Sequence, residues 1–259
     1  LPAAVPHAPV VAYGRDGARE WLVLARVPGR SLAEVWTHLT VAERRAATVQ
    51  LGEILRALHG VLLPTGFHNP WLEDALAPGG RPGDAYHAPP GRHQPLLAAA
   101  YAVPGADRGL LDAVGAFIAE RLDAFTGDRP ALAHADIHFA NLLWADGRIS
   151  ALLDFETARP AAPDLDLDAL LRLAREPELY RGRDGRAGPS RRDLAAIPDW
   201  LAGAYPALFA HPRLPARLAV YEALWQLVQA LHFPPGAGPR DPWGHLKALL
   251  AAGDAWAAW

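Results

Sequence analysis

Apolar residues recur at helical spacing along much of this chain. Val49, Leu51, Ile54, Leu55 and Leu58 make one stripe, and Leu111, Val114, Phe117, Ile118 and Leu122 make another within Leu110 to Phe125. The first stripe is preceded by Thr40-Val41-Ala42-Glu43, a capping box with Thr40 as N-cap and Glu43 at the third helical position, and Gly60 stands where that helix should end. Four further helices are predicted over 165–174, 191–204, 214–233 and 243–257. The pattern changes in two places. Trp21 to Val27 is a continuous apolar run closed by Pro28-Gly29, which predicts a short buried strand after a turn at Gly14-Arg15-Asp16-Gly17. Leu142-Leu143-Trp144 and Ile149 to Leu153 predict two strands, and Asp146-Gly147 between them is a hairpin signal because both residues tolerate positive φ. Residues 61–106 are rich in Pro, Gly and His and predict an irregular connection with one short helix near Gln94 to Ala102. Arg181 to Arg192 is a Gly- and Arg-rich loop, and no internal repeat is visible. The predicted class is α+β, mostly helical with a small β-hairpin region at its centre.

Composition narrows the functional classes. The chain has 259 residues, of which 51% are hydrophobic and 20% charged, enough apolar material for a packed core. A net charge of −3 gives no basic field for nucleic acid. Cysteine is absent, which removes disulfides, thiolate nucleophiles and cysteine zinc sites together. No apolar run reaches the roughly 18 residues that would span a bilayer, and the first residues lack the basic flank of a signal peptide. A cytoplasmic protein without a membrane or nucleic-acid partner is expected; the oligomeric state is not written in the sequence. Methionine is also absent, and Lys247 is the single lysine. The missing initiator methionine leads us to expect that the chain is part of a longer gene product.

The densest polar signal is His134-x-Asp136-x-x-x-x-Asn141, followed by Asp154-Phe155-Glu156. Phosphoryl transfer asks little covalent chemistry of a protein. It needs a carboxylate to orient the acceptor hydroxyl and hard oxygen ligands to hold magnesium against the phosphates. An Asp on a loop, an Asn five residues on and an Asp beyond a hairpin supply those groups, and the hairpin folds Asp154 back toward Asn141. The same residues also permit a metal-dependent hydrolase, with His134, Asp136 and His138 as a zinc or iron triad. A third reading is a non-catalytic binding scaffold. His134 by itself is expected to be structural. Asp164, Asp166 and Asp168 suit the N-terminal turn of a helix, with a structural role favoured for Asp166. Arg181, Arg183, Arg186, Arg191 and Arg192 are expected on a solvated loop, although they would suit phosphate groups.

The run His134-x-Asp136-Ile137-His138-x-x-Asn141 with the later Asp154-Phe155-Glu156 resembles the aminoglycoside phosphotransferase and choline kinase-like family. The resemblance extends from about Trp21 onward and is tightest from Ala131 to Leu170. It implies a protein-kinase-like fold and transfer of the ATP γ-phosphate to a hydroxyl of an aminoglycoside-like or other small metabolite. It further implies Asp136 as catalytic base, Asn141 and Asp154 as Mg2+ ligands, and Leu143 as the apolar floor beneath adenine. Leu24-Ala25-Arg26-Val27-Pro28-Gly29 is similar to the family's hinge, which makes Ala25 and Val27 nucleotide-contacting positions. Pro163-x-x-Asp166-Leu167 is similar to a stretch that buttresses the catalytic loop. Two departures are Ala135, where many relatives have Gly, and Phe139, where Pro is frequent. A third is larger: no Gly-rich loop or strand lysine precedes Trp21. Residues 1–30 are therefore expected to be a remnant of an N-terminal lobe with its hinge, and 31–259 a helical C-terminal catalytic lobe. The chain by itself is expected to handle ATP poorly.

Overall fold

A computed structural model describes residues 1–17, 19–180, 188–236 and 241–257. The chain divides into two compact units, one of residues 1–62, 136–158 and 169–209, the other of 63–135, 159–168 and 210–257.

The first unit opens with an antiparallel hairpin, β1 (Val10–Asp16) and β2 (Arg19–Leu24). The strand expected at Trp21 is present but not buried, since Trp21, Leu22, Val23 and Leu24 are all exposed. A two-stranded ribbon has each strand covered only by the other along its edge, and neither face is closed by a further sheet layer. Gly14 and Arg15 lie inside β1 rather than in the turn, which falls at Gly17. After the hairpin, β3 (Arg30–Ser31) leads into a one-turn helix, α1 (Leu32–Val35), capped by Ser31. The long helix α2 (Val41–His59) forms as its capping box dictates: Glu43 N–H donates to the Thr40 hydroxyl, and the Glu43 carboxylate accepts from the Thr40 backbone. Its stripe of Leu51, Ile54, Leu55 and Leu58 is buried.

Residues 63–119 hold more helix than expected. Asn69 caps α3 (Pro70–Leu76), with Pro70 at the first helical position where its missing N–H is harmless. The short helix near Gln94 is α4 (Gln94–Tyr101), and α5 (Arg108–Ala119) buries Leu111, Val114, Phe117 and Ile118 but ends short of the expected Phe125, leaving Leu122 half-buried in the following 3-10 turn. These helices, with α9 and α10 described below, form the apolar core of the second unit. That unit also contains a small antiparallel ladder between β4 (Ala131–Ala133) and β7 (Arg159–Ala161), with Ala133 opposite Arg159.

The predicted central hairpin belongs to the first unit. It pairs β5 (Leu142–Ala145) with β6 (Arg148–Leu152), and β3 joins on the other side of β5 to give the order β3-β5-β6. Asp146 at φ 51° and Gly147 at φ 73° place both turn residues in the left-handed region, the type I′ geometry that matches strand twist. Then follow α6 (Asp164–Arg175), α7 (Arg191–Leu194), α8 (Ile197–Ala204), α9 (Leu214–His232) and α10 (Pro242–Ala252). The single helix expected over 191–204 is divided into α7 and α8, and Pro198 sits in the first turn of the second. Arg191 and Arg192 are helical; Arg181, Arg183 and Arg186 lie outside the described residues. Lys247 on α10 is ion-paired with Asp107 at the start of α5, 3.3 Å away. No helix among the described residues is long and apolar enough to cross a membrane.

Candidate active site

The loop from Asp136 to Asn141 alternates. Ile137, Phe139 and Asn141 are buried, while Asp136, His138 and Ala140 are at least partly open. Phe139 packs against Trp36 with ring centroids 4.4 Å apart, and the Trp36 indole N–H is held in turn by the Asp193 carbonyl at 3.0 Å. A proline is therefore not needed here: an aromatic anchor fixes the loop instead. With alternate side chains driven into the core, the intervening ones face outward by geometry alone.

The loop's entry is fixed by a different device. The backbone N–H groups of His134 and Ala135 donate to the two carboxylate oxygens of Asp166, at 3.0 and 2.7 Å. All three residues are fully buried. Ala135 takes φ 66°, a left-handed conformation that L-residues avoid. A buried carboxylate gripping two successive N–H groups is the kind of contact that can hold such a residue there. The buttressing expected of Asp166 is thus visible as two charge-assisted bonds.

Asn141 connects the loop to the hairpin. Its side-chain amide nitrogen donates to the Asp136 carbonyl at 3.0 Å and to Asp136 Oδ2 at 3.2 Å. Because both partners are acceptors, the amide orientation is determined, and its oxygen is turned away from Asp136. The Asn141 backbone carbonyl accepts from Leu153 N–H at 2.8 Å, so the residue before Asp154 is tied directly to Asn141. Asp154 is exposed and left-handed at φ 64°. Glu156 registers the result. Its carboxyl is pushed above the ordinary glutamate range, chiefly by the neighbouring Asp154 charge, then by partial burial and by Asp136. Asp154 and Asp136 thus both act electrostatically on Glu156, and with Asn141 these side chains are a set of hard donors with surplus negative charge. Such a set suits a divalent cation of the magnesium type.

His138 completes the loop. Its Nδ1 accepts from Ala140 N–H at 3.2 Å, and its Nε2 faces Asp136 Oδ2 at 3.5 Å. Both ring nitrogens are thus turned toward protein groups, which leaves the imidazole poorly placed to ligate zinc with His134.

The hinge-like segment runs beside β5. Ala25 N–H donates to the Pro9 carbonyl at 2.8 Å, and Ser150 Oγ donates to the Pro28 carbonyl at 2.7 Å. Gly29 has φ 138°, and a Cβ there would come within 2.9 Å of Ser150 Oγ and 3.2 Å of Leu143 Cβ. Ala25, Val27 and Leu143 are all half-buried. Gly29 thus brings the segment holding Ala25 and Val27 against the strand that carries Leu143.

A helical chain with a loop and hairpin carrying Asp, Asn and Asp in this order is the arrangement expected of a phosphotransferase of the kinase-like type. The chain belongs to the phosphotransferase enzyme family (APH), whose model matches residues 1–197. No curated protein sequence matches it significantly. Among solved structures it is similar to ADP-bound aminoglycoside phosphotransferase APH(2'')-Ib, at 16% identity and a TM-score of 0.57 over 96% of this chain and 77% of that one. It is also similar to a thermostable mutant of aminoglycoside phosphotransferase APH(4)-Ia in its apo form. That match has 19% identity and a TM-score of 0.58 over all of this chain and 80% of the other. A ternary complex of that enzyme with ADP and hygromycin B matches at 18% identity and a TM-score of 0.55, over 100% and 80% of the two chains. The fold is therefore the protein-kinase-like fold of aminoglycoside phosphotransferases, as the sequence led us to expect. Family membership sets aside the hydrolase reading.

Proposed function

We propose that this protein transfers the γ-phosphoryl group of ATP to a hydroxyl of a small molecule, with Asp136 as the catalytic carboxylate. The observation that carries the reading is the linkage of Asp136, Asn141 and Asp154 through the Asn141 side chain and the Leu153–Asn141 backbone bond. Asp136 would align the acceptor hydroxyl and take its proton late in the transfer. Its Oδ2 is steadied by the Asn141 amide, so the carboxylate is oriented before the acceptor arrives. Asn141 Oδ1 and the Asp154 carboxylate would hold Mg2+, which when bound offsets the charge of the phosphates. Ala25 and Val27 would meet the adenine edge, with Leu143 beneath the ring. The overlap with nucleotide-bound aminoglycoside phosphotransferases supports ATP as the donor. An amino sugar or a related polyhydroxylated amine is the acceptor class suggested by the same relatives. Residues 1–30 are proposed to carry the hinge, and the helical remainder the catalytic lobe.

The test is phosphoryl transfer from [γ-32P]ATP to a panel of aminoglycosides and amino alcohols, with binding of MgATP followed separately by calorimetry. Asp136→Ala should lower turnover by about a hundredfold or more while leaving MgATP affinity near that of the parent. Asp154→Ala should weaken MgATP itself. Full turnover in the Asp136→Ala protein would contradict the assignment. MgATP binding without transfer to any acceptor would favour a binding scaffold.

A further inference from the structure

His138 lies in the catalytic loop, yet no part of the proposed reaction uses its side chain. It does not pack the loop: Ile137 and Phe139 go into the core, and the His138 side chain is 20% exposed. As N-cap of the short 3-10 turn Phe139–Asn141 it accepts the Ala140 N–H on Nδ1 at 3.2 Å. Asn, Asp, Ser or Thr could hold that N–H as well, since each carries an acceptor at a similar reach from the backbone. What an imidazole adds is a second nitrogen farther out. Here that nitrogen, Nε2, stands 3.5 Å from Asp136 Oδ2.

The backbone bond decides the chemistry of that second nitrogen. A backbone N–H can only donate, so Nδ1 of the neutral ring is bare and the ring proton sits on Nε2. The proton is therefore on the nitrogen that faces Asp136. Tyr180 lies against the imidazole, with ring centroids 5.5 Å apart and the planes tilted by 48°, so the ring is held from a further direction. Asp136 Oδ2 also accepts from Asn141 Nδ2 at 3.2 Å. N–H groups of His138 and Asn141 thus converge on the same carboxylate oxygen. The His138 contact is at the outer limit of a hydrogen bond, as is common before substrates close on a site.

We propose that His138 is a positioning residue: its Nε2–H, together with the Asn141 amide, holds Oδ2 of Asp136 so that Oδ1 is the oxygen presented to the acceptor. This role rests on the reading of Asp136 as the catalytic carboxylate. In the transfer, the acceptor hydroxyl gives its proton to Oδ1 while its oxygen bonds the γ-phosphorus and the bond from that phosphorus to the ADP oxygen breaks. A carboxylate free to rotate would lose this alignment, and misplacement of a reacting group can slow a reaction by about a hundredfold.

Asparagine and glutamine divide the two ring nitrogens between them. His138→Asn keeps an acceptor where Nδ1 stands and has nothing at Nε2, whereas His138→Gln puts an N–H near Nε2 and loses the cap. Turnover is read with [γ-32P]ATP and whichever aminoglycoside or amino alcohol the parent phosphorylates fastest. His138→Asn should lower kcat by about tenfold while KM for MgATP and the melting midpoint stay near the parent's. His138→Gln should recover most of that kcat despite a lower melting midpoint. A role confined to capping predicts the opposite order. A His138→Asn protein that turns over as the parent does, or faster than His138→Gln, therefore overturns the proposal. 15N NMR of the imidazoles reads the contact without turnover. Nδ1 of His138 should resonate as unprotonated and Nε2 as protonated, and Asp136→Asn should move Nε2 more than Nδ1. A ring protonated on Nδ1, or one unmoved by Asp136→Asn, overturns the proposal as well. A parent that phosphorylates nothing on the panel sinks the kinase reading instead, and the NMR result still decides whether His138 holds Asp136.

Discussion

Ala135 at φ 66° carries a conformational cost of about 1–2 kcal/mol that a glycine would not. Ala135→Gly should therefore stabilise the protein by about 1 kcal/mol in urea unfolding, since the residue's N–H bond to Asp166 does not involve its side chain. Asp166→Ala should do the reverse. It leaves two buried N–H groups without their carboxylate, at a cost of about 3 kcal/mol. Glu156 makes a pH-dependent prediction. Its folded-state pKa lies above the ordinary glutamate value, so the folded chain binds this proton more tightly than the unfolded chain. That stabilising effect is complete below the unfolded pKa and is lost as pH rises through the folded one. Glu156→Gln should remove this loss, flattening the stability profile on the alkaline side of the ordinary glutamate range. In the parent alone, Mg2+ should offset the same loss. A Glu156→Gln profile that still falls across this interval would show that another group is responsible. Asp136, Asn141 and Asp154 could be picked out in the sequence because their spacing is chemical. The grip of Asp166 on two N–H groups was legible only through resemblance, since a long-range bond to backbone leaves no local pattern.

At the scale of elements, the β5–β6 hairpin determines whether Asp154 returns to Asn141. Gly147→Val places a branched side chain at φ 73° and should cost about 1–2 kcal/mol. If the proposed metal role holds, it should also weaken MgATP more than it slows the residual turnover. The hairpin, α2 and α5 were plain in the sequence because turn chemistry, a capping box and a 3.6-residue period are all local. The helix α3 was hidden although Asn69-Pro70 is a start signal, because a seven-residue helix among prolines and glycines shows no full period. The strand at Trp21 was recognised, but its exposure was not. An apolar run reports a preference for burial and carries no information on whether another layer exists to provide it.

Over the whole molecule, the apolar pattern set the class, a mostly helical protein with a small β component, and composition supplied the apolar material for its core, while charge was arranged in ways the net value of −3 conceals. In the second unit Arg217, only 1% exposed at its side chain, joins the buried Asp164 and Tyr221 and the more exposed Asp128 in one network. Removing one member of such a set strands the others. Arg217→Ala should therefore cost about 3–5 kcal/mol, a loss measurable as a lowered denaturant midpoint. The alternation of the catalytic loop has a consequence of another sort. The side chains at 137 and 139 are committed to holding the backbone, and His138 caps Ala140 N–H, whereas 140 meets the outside without bearing the packing. Descendants of this chain can thus diversify at 140 without relearning how to fold.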